Sequence, residues 1–176
     1  DFIGRFVAQR LGAALGQPVI VDNRPGAGSL LGVEVASKAK PDGYTLALVA
    51  TSYTVLPALY KMSFDPIADI TPVIQISQGP MLLVANPAIP AKTVKELIEL
   101  AKRKPGGLNF ASAGQGSITH LAGELFAIKA GVKMTHIPYK GTGPALTDTI
   151  SGTADIFFTS TATAMPNVKG GKLRAI

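Results

Sequence analysis

Residues 109–126 read NFASAGQGSITHLAGELF, and this stretch decides the fold class. Leu108 to Ala111 has the short, apolar character of a strand. Ser112-Ala113-Gly114-Gln115-Gly116-Ser117 is too small and too rich in glycine to continue it. Beyond Ser117, the side chains Ile118, Leu121, Leu125 and Ile128 recur at helical spacing. A strand that passes through a glycine turn straight into a helix is the first part of a βαβ unit.

Working outward, the same alternation recurs. Thr93-Val94-Lys95-Glu96 is a capping-box pattern that opens a helix through Lys102. Thr135 to Pro138 reads as a strand, Gly143 to Ile150 as a helix, Asp155 to Phe158 as a strand and Ala162 to Lys169 as a helix. Toward the amino terminus, Phe2, Ile3, Phe6, Val7, Leu11 and Leu15 mark a helix over 1–15 that Gly16 ends. Strands are expected at Pro18–Asp22, Tyr44–Ala50, Thr71–Ser77 and Met81–Ala85, with helices at 29–38 and 57–60. The chain is therefore α/β with largely parallel sheets. The boundary between two small lobes falls around Ser77 to Pro80. Residues 1–77 make an incomplete first lobe, 78–171 the second, and 172–176 a strand returning to the first.

Composition narrows the function classes. The 176 residues are 47% hydrophobic and 16% charged, enough to bury a core, and no apolar run approaches the roughly 18 residues of a membrane span. The net charge of +6 would suit an anionic partner. Its lysines are scattered, however, and no aromatic residues are interleaved with basic ones, which argues against nucleic acid. The absence of cysteine excludes disulfides, thiolate metal sites and cysteine catalysis. Asp1 opens directly on a helix and Leu173–Ile176 reads as a strand in progress, as in a mature secreted chain or an internal fragment.

Three chemistries compete for the 112–120 stretch. A phosphate loop fails, because Gly116 is followed by Ser117-Ile118 rather than Lys-Ser/Thr, and the G-x-G-x-x-G spacing is not met. A nucleophile reading would pair Ser117 with His120, three residues apart, but no G-x-S-x-G occurs and no carboxylate is marked out to orient the imidazole. A metal reading has only His120 and Glu124 at i, i+4, with His136 as the one other histidine, so neither a metal nor a cofactor is expected. What remains is anion capture by backbone amides where glycine turns enter helices. Gly26-Ala27-Gly28-Ser29, Ala113–Ser117 and Lys140-Gly141-Thr142-Gly143 repeat that device. Thr51-Ser52 and Thr159-Ser160 add hydroxyls after strands, where ligands of open α/β sheets bind.

The motifs Asn23–Gly28 (NRPGAG), Lys40–Leu46 (KPDGYTL), Pro57–Lys61 (PALYK), Asn109–Phe126, His136–Gly141 (HIPYKG) and Gly171–Ala175 (GKLRA) closely resemble the substrate receptors of tripartite tricarboxylate transporters, the Bug-type periplasmic binding proteins. The resemblance runs along essentially the whole chain. It implies a two-lobed, Venus-flytrap receptor, not an enzyme, that works as a monomer in the periplasm of a Gram-negative bacterium. Such a receptor takes a small mono- or dicarboxylate in the cleft between its lobes and hands it to the membrane components of the transporter. By the same resemblance the ligand-binding residues are Thr51, Ser52, Ser112, Gly114, Gly116, Ser117, Thr119, Tyr139, Lys140, Gly141, Thr159 and Ser160. His120 and Asp1 are structural neighbours of the site, His120 fixing the turn and Asp1 ending a carboxylate loop. Two positions depart from the family pattern. Thr159-Ser160 stands where many members have Asp-Asn, which disfavours an amino-acid ligand, and Leu56 stands where an Asn is usual. The alternatives are the effector domain of a transcription regulator, which has the same architecture, and a hydrolase using Ser117 and His120.

Overall fold

The computed structural model describes residues 2–176; Asp1 lies outside the described residues. Helix α1 (Phe2–Leu15) ends at Gly16, whose φ of 66° is the left-handed stop expected of glycine. After it come a single 3-10 turn (Ala27–Ser29) running into α2 (Leu30–Ser37), and a second 3-10 turn (Thr51–Val55) running into α3 (Leu56–Leu59).

The strands expected at Pro18–Asp22, Tyr44–Ala50 and Thr71–Ser77 are not formed. No strand of the described residues pairs with them. A strand is a ladder and not a backbone shape, so alternating apolar side chains without a neighbour stay in solvent. Ile20 is 87% exposed, Val73 and Ile74 78%.

From Met81 onward the chain closes a five-stranded sheet, β1 (Met81–Ala85), β2 (Asn109–Ser112), β3 (Thr135–Pro138), β4 (Ile156–Ser160) and β5 (Arg174–Ala175), in the order β3-β2-β4-β1-β5. β2 is parallel to both β3 and β4, while β1 runs antiparallel to β4 and β5. The closing segment, assigned from sequence to the first lobe, pairs here with β1 through Arg174 opposite Ala85.

Both faces of this sheet are apolar, so strand alternation feeds two cores. Leu83, Phe110, Ile156 and Phe158 point to one face, under α4 (Val94–Arg103) and α5 (Ile118–Ala130). Val84, Ala111 and Phe157 point to the other, under α6 (Thr142–Ser151) and α7 (Thr161–Lys169). Fully burying side chains such as Phe110, Phe157, Ile156 and Leu97 stabilises by about 1.5–3 kcal/mol each. At α4 the expected cap forms in part: Thr93 Oγ1 accepts from the Glu96 amide, while the Glu96 carboxylate reaches one residue further back and accepts from the Lys92 amide.

This topology creates a crevice. From β2 the chain moves outward to β3 over one face, then returns by α6 over the other to β4, on the far side of β2. The turns leaving β2 and β4 therefore diverge at the carboxyl ends of adjacent parallel strands, the place where open α/β sheets bind ligands.

Candidate functional site

The turn leaving β2 is built almost entirely from its own hydrogen bonds. Ser112 is fully buried at the end of the strand, and its Oγ accepts from the Gly114 amide at 3.1 Å. The Ala113 amide donates to Thr119 Oγ1 at 2.8 Å, and the Gly116 amide to His120 Nδ1 at 3.2 Å. Ser117 donates its hydroxyl to the Gly114 carbonyl at 2.6 Å while accepting from the His120 amide, so it both closes the turn and caps α5. Gly114 has φ 123°, and a Cβ there would lie 3.1 Å from the Tyr139 carbonyl. Only glycine meets both demands.

The sequence expectation was of unpaired amides aimed outward. Instead, the Ala113, Gly114, Gly116 and Ser117 amides all have partners within the turn. The acceptors are the Thr119, Ser112 and His120 side chains and, for Ser117, the Gly114 carbonyl.

Around it the other sequence-predicted residues assemble. Gly141 precedes α6 and donates its amide to the Ala113 carbonyl at 3.1 Å, which sets Tyr139-Lys140-Gly141 beside the turn. Burial first, and then the neighbouring Asp148 carboxylate, push the Tyr139 hydroxyl up to about 12, so it stays a neutral donor. Thr159 is buried inside β4, whereas Ser160 is exposed and caps α7 by accepting from the Thr163 amide.

The amino-terminal residues reach the same turn from the opposite side. Gly26, Ala27, Gly28 and Ser29 are four consecutive residues with φ between 45° and 133°. Two of them carry side chains, and each such position costs about 1 kcal/mol or more. The run lets Gly28 press against the turn, where an added Cβ would sit 3.1 Å from the Gln115 carbonyl oxygen and from the Gly116 carbonyl carbon. Buried Ser52 donates to the Gly28 carbonyl at 3.3 Å, and Tyr60 Oη donates to the Gln115 carbonyl at 3.1 Å. Thr51 is exposed, its carbonyl taken by Thr54 Oγ1.

The residues missed by sequence reasoning are Tyr60, Phe110 and His136. His136 on β3 stacks between Phe110 (centroids 4.8 Å apart) and His120 (4.1 Å), with its Nε2 2.6 Å from Ser112 Oγ. Burial, then the adjacent His120 ring, hold its pKa down at about 4. The HIPYKG motif marks the position, but its contact with Ser112 spans 24 residues and no local spacing reveals it.

Hydrolytic chemistry finds no support here. Ser117 Oγ bonds the backbone of the turn, not the His120 ring, and no carboxylate hydrogen-bonds the Ser112–His136 pair among the described residues. Among the described residues no cluster of three or more His, Asp or Glu could hold a metal. A shallow depression of about 480 Å3 lies elsewhere, over α2 between Arg24 and Lys38, and contains none of the predicted residues.

Comparison with known proteins is consistent with this geometry. A family model described as the tripartite tricarboxylate transporter family receptor matches residues 3–176. Protein BugT of Bordetella pertussis is 36% identical over 179 residues, covering 100% of this chain and 55% of that protein. A solved structure of a periplasmic transporter superposes with a TM-score of 0.94 at 40% identity, covering 100% of this chain and 60% of that one. MatC of Rhodopseudomonas palustris with bound malate superposes at 0.92 and 31% identity, covering 99% and 60%. The α/β, periplasmic-binding-protein-like architecture expected from the sequence is thus borne out. The chain spans about half the length of the curated relatives it matches.

Proposed function

Since the chain belongs to the tripartite tricarboxylate transporter receptor family, we propose that it forms much of an extracytoplasmic receptor for a small organic carboxylate. The ligand is a mono- or dicarboxylate, held where the β2 turn, the Gly26–Ser29 run and the turn at Gly141 converge. Delivery to the membrane components of a tripartite tricarboxylate transporter follows, from a monomeric receptor in the periplasm. Malate bound to a related protein that aligns over nearly the whole chain supports the carboxylate class.

The observation that carries this reading is the meeting of Gly28 with the Gln115 and Gly116 carbonyls, and of Tyr60 with the Gln115 carbonyl, in the turn beyond the carboxyl end of β2. Elements distant in sequence converge there on polar backbone and small hydroxyls beside Lys140, and among the described residues no nucleophile–base–acid set is formed there. Such a surface orients an anion and does no covalent chemistry. Closure around the ligand is the working motion, with Tyr60 and Gly28 as the contacts that make and break. Of the proposed contacts, Lys140, Thr51 and Ser160 are exposed, Gly114, Tyr139 and Gly141 are partly exposed, and Gly116 is buried with its amide held by His120. Ser52, Ser112, Ser117, Thr119 and Thr159 act from beneath as buried hydroxyls.

Calorimetric titration of the full-length polypeptide with malate, and with its neutral diamide as control, tests the proposal. Saturable binding of malate or of another small carboxylate, absent for the diamide, is expected. A panel of mono-, di- and tricarboxylates that gives no heat and no thermal shift would overturn it.

A further inference from the structure

The polar interior of the β2 turn ends on two imidazoles, and each meets the turn through one ring nitrogen. His120 Nδ1 receives the Gly116 N–H at 3.2 Å, so that nitrogen carries a lone pair. Ser112 Oγ already receives the Gly114 N–H, so its own proton is free to go to His136 Nε2, 2.6 Å away. With Ser112 as the donor of that bond, Nε2 carries a lone pair. The two rings then hold opposite tautomers, with Nδ1–H on His136 and Nε2–H on His120. The His120 Nε2 faces the Glu124 carboxylate at 3.6 Å. β2 offers the pair only Phe110 and Ser112.

We infer that His136 and His120 are a paired positioning element of the ligand site, each acting as an uncharged acceptor that fixes one end of the Ser112–Ser117 turn. His136 works through Ser112 on Gly114, and His120 works directly on Gly116. A proton on either acceptor nitrogen turns it into a donor and ejects the group it holds. Because the rings stack at 4.1 Å, charge on one also opposes charge on the other. The depressed pKa of His136 agrees with a ring kept neutral at this position. The inference rests on the carboxylate-receptor reading for its consequence, and on the turn geometry alone for its mechanism.

The experiment reads the two separately, on the full-length protein. In the ligand-free state, 15N chemical shifts of the imidazoles at pH 7.5 should show Nδ1 protonated and Nε2 bare in His136, and the reverse in His120. Finding Nε2 of His136 protonated, or Nδ1 of His120 protonated, overturns the inference whatever the protein binds. Malate titration then uses two pairs of variants. H136F and H120F keep a flat ring in the stack but remove the acceptor, and should weaken binding about tenfold or more, as for loss of a buried hydrogen bond. H136Q and H120N place an amide oxygen near the lost nitrogen and should recover most of that loss. H136Q should also remove the steeper weakening of wild-type binding below about pH 5. Phenylalanine variants that bind malate as wild type does would sink the positioning role. Absence of malate binding in the wild type bears instead on the proposed function, and the tautomers still decide this inference. If H136F or H120F does not fold, amide exchange of Gly114 and Gly116 in H136Q and H120N decides. Protection unchanged from wild type at pH 7.5 but insensitive to acid supports the inference; acid sensitivity equal to wild type overturns it.

Discussion

Gly123 lies directly against the ring of Phe110: a Cβ built on it would sit 2.3 Å from Cε2 and 2.5 Å from Cδ2. This explains a glycine in the middle of α5, where it would otherwise cost about 1 kcal/mol relative to alanine. Gly123→Ala is therefore expected to destabilise despite its better helix propensity. The Phe110 ring cannot retreat, because its other neighbours are the stacked His136 ring and the core beneath. A loss of about 1–3 kcal/mol is expected for such overpacking, read from urea melts. Unchanged or raised stability would show that the helix and sheet can separate there without cost.

Gly28 plays the corresponding part between the amino-terminal residues and the β2 turn. Its φ of 65° favours glycine, and its missing side chain admits the Gln115 and Gly116 backbone to within 3.1 Å of where a Cβ would be. Gly28→Ala should then weaken carboxylate binding by about tenfold, while the 81–176 sheet keeps its amide-exchange protection. The Ser52 bond to the Gly28 carbonyl would loosen at the same time. Wild-type affinity in this variant would remove the close approach from the list of determinants.

Much of the fold was legible because its signals are local. The helical spacing of Ile118, Leu121 and Leu125, the Thr93–Glu96 cap and the glycine at 16 each mark an element without reference to anything distant. The segments at 18–22, 44–50 and 71–77 carry an equally good strand pattern, yet pattern specifies only a tendency to pair. With no ladder partner among the described residues, Ile20 and Ile74 stay exposed. The site divides in the same way. Glycine and hydroxyl composition pointed to the 112–119 turn and to Gly26–Ser29. The sequence could not say that the hydroxyls face inward, bonding Ala113, Gly114 and one another. Nor could it pair Ser112 with His136 or Tyr60 with Gln115, contacts that span 24 and 55 residues and follow only from strand order and from the approach of Tyr60 to the β2 turn.

The histidine stack also sets a pH dependence of stability. His136 has a folded-state pKa of about 4 against 6.5 in the free side chain. Between those values the unfolded chain holds a proton that the folded chain does not, so stability rises with pH across that window. The contribution is complete above about pH 6.5 and is lost as pH falls toward 4. The ring is only half-buried, and solvent screening limits the effect to on the order of 1–2 kcal/mol. Chemical denaturation at pH 7.5 and at pH 4.5 should show this difference in wild type and a smaller one in H136Q. An identical pH slope in both would assign the acid sensitivity to carboxylates elsewhere.

Arg174 supplies the last expectation, at the edge of the sheet. Its guanidinium donates through Nη1 to the Ile89 and Ala91 carbonyls at 2.9 and 3.2 Å, and through Nη2 to the Pro87 carbonyl at 3.2 Å. One planar fork thus gathers three carbonyls of the loop between β1 and α4, while the residue's own backbone lies in β5 opposite Ala85. The loop is tied to the strand entering from the other end of the chain, with 83 to 87 residues between the partners. Arg174→Met keeps most of the apolar stem and leaves the three oxygens without their donor. A loss of about 1.5–3 kcal/mol is expected, because hydrogen bonds to a charged group are the stronger kind and Ala91 is fully buried. Arg174→Lys should recover only part of it, since an ammonium cannot span three carbonyls that a guanidinium meets with separate N–H groups. Urea denaturation of both variants, with amide exchange over 86–92, checks the order wild type above Lys above Met. Equal stability for Lys and wild type would mean that charge alone, and not the fork, holds the loop.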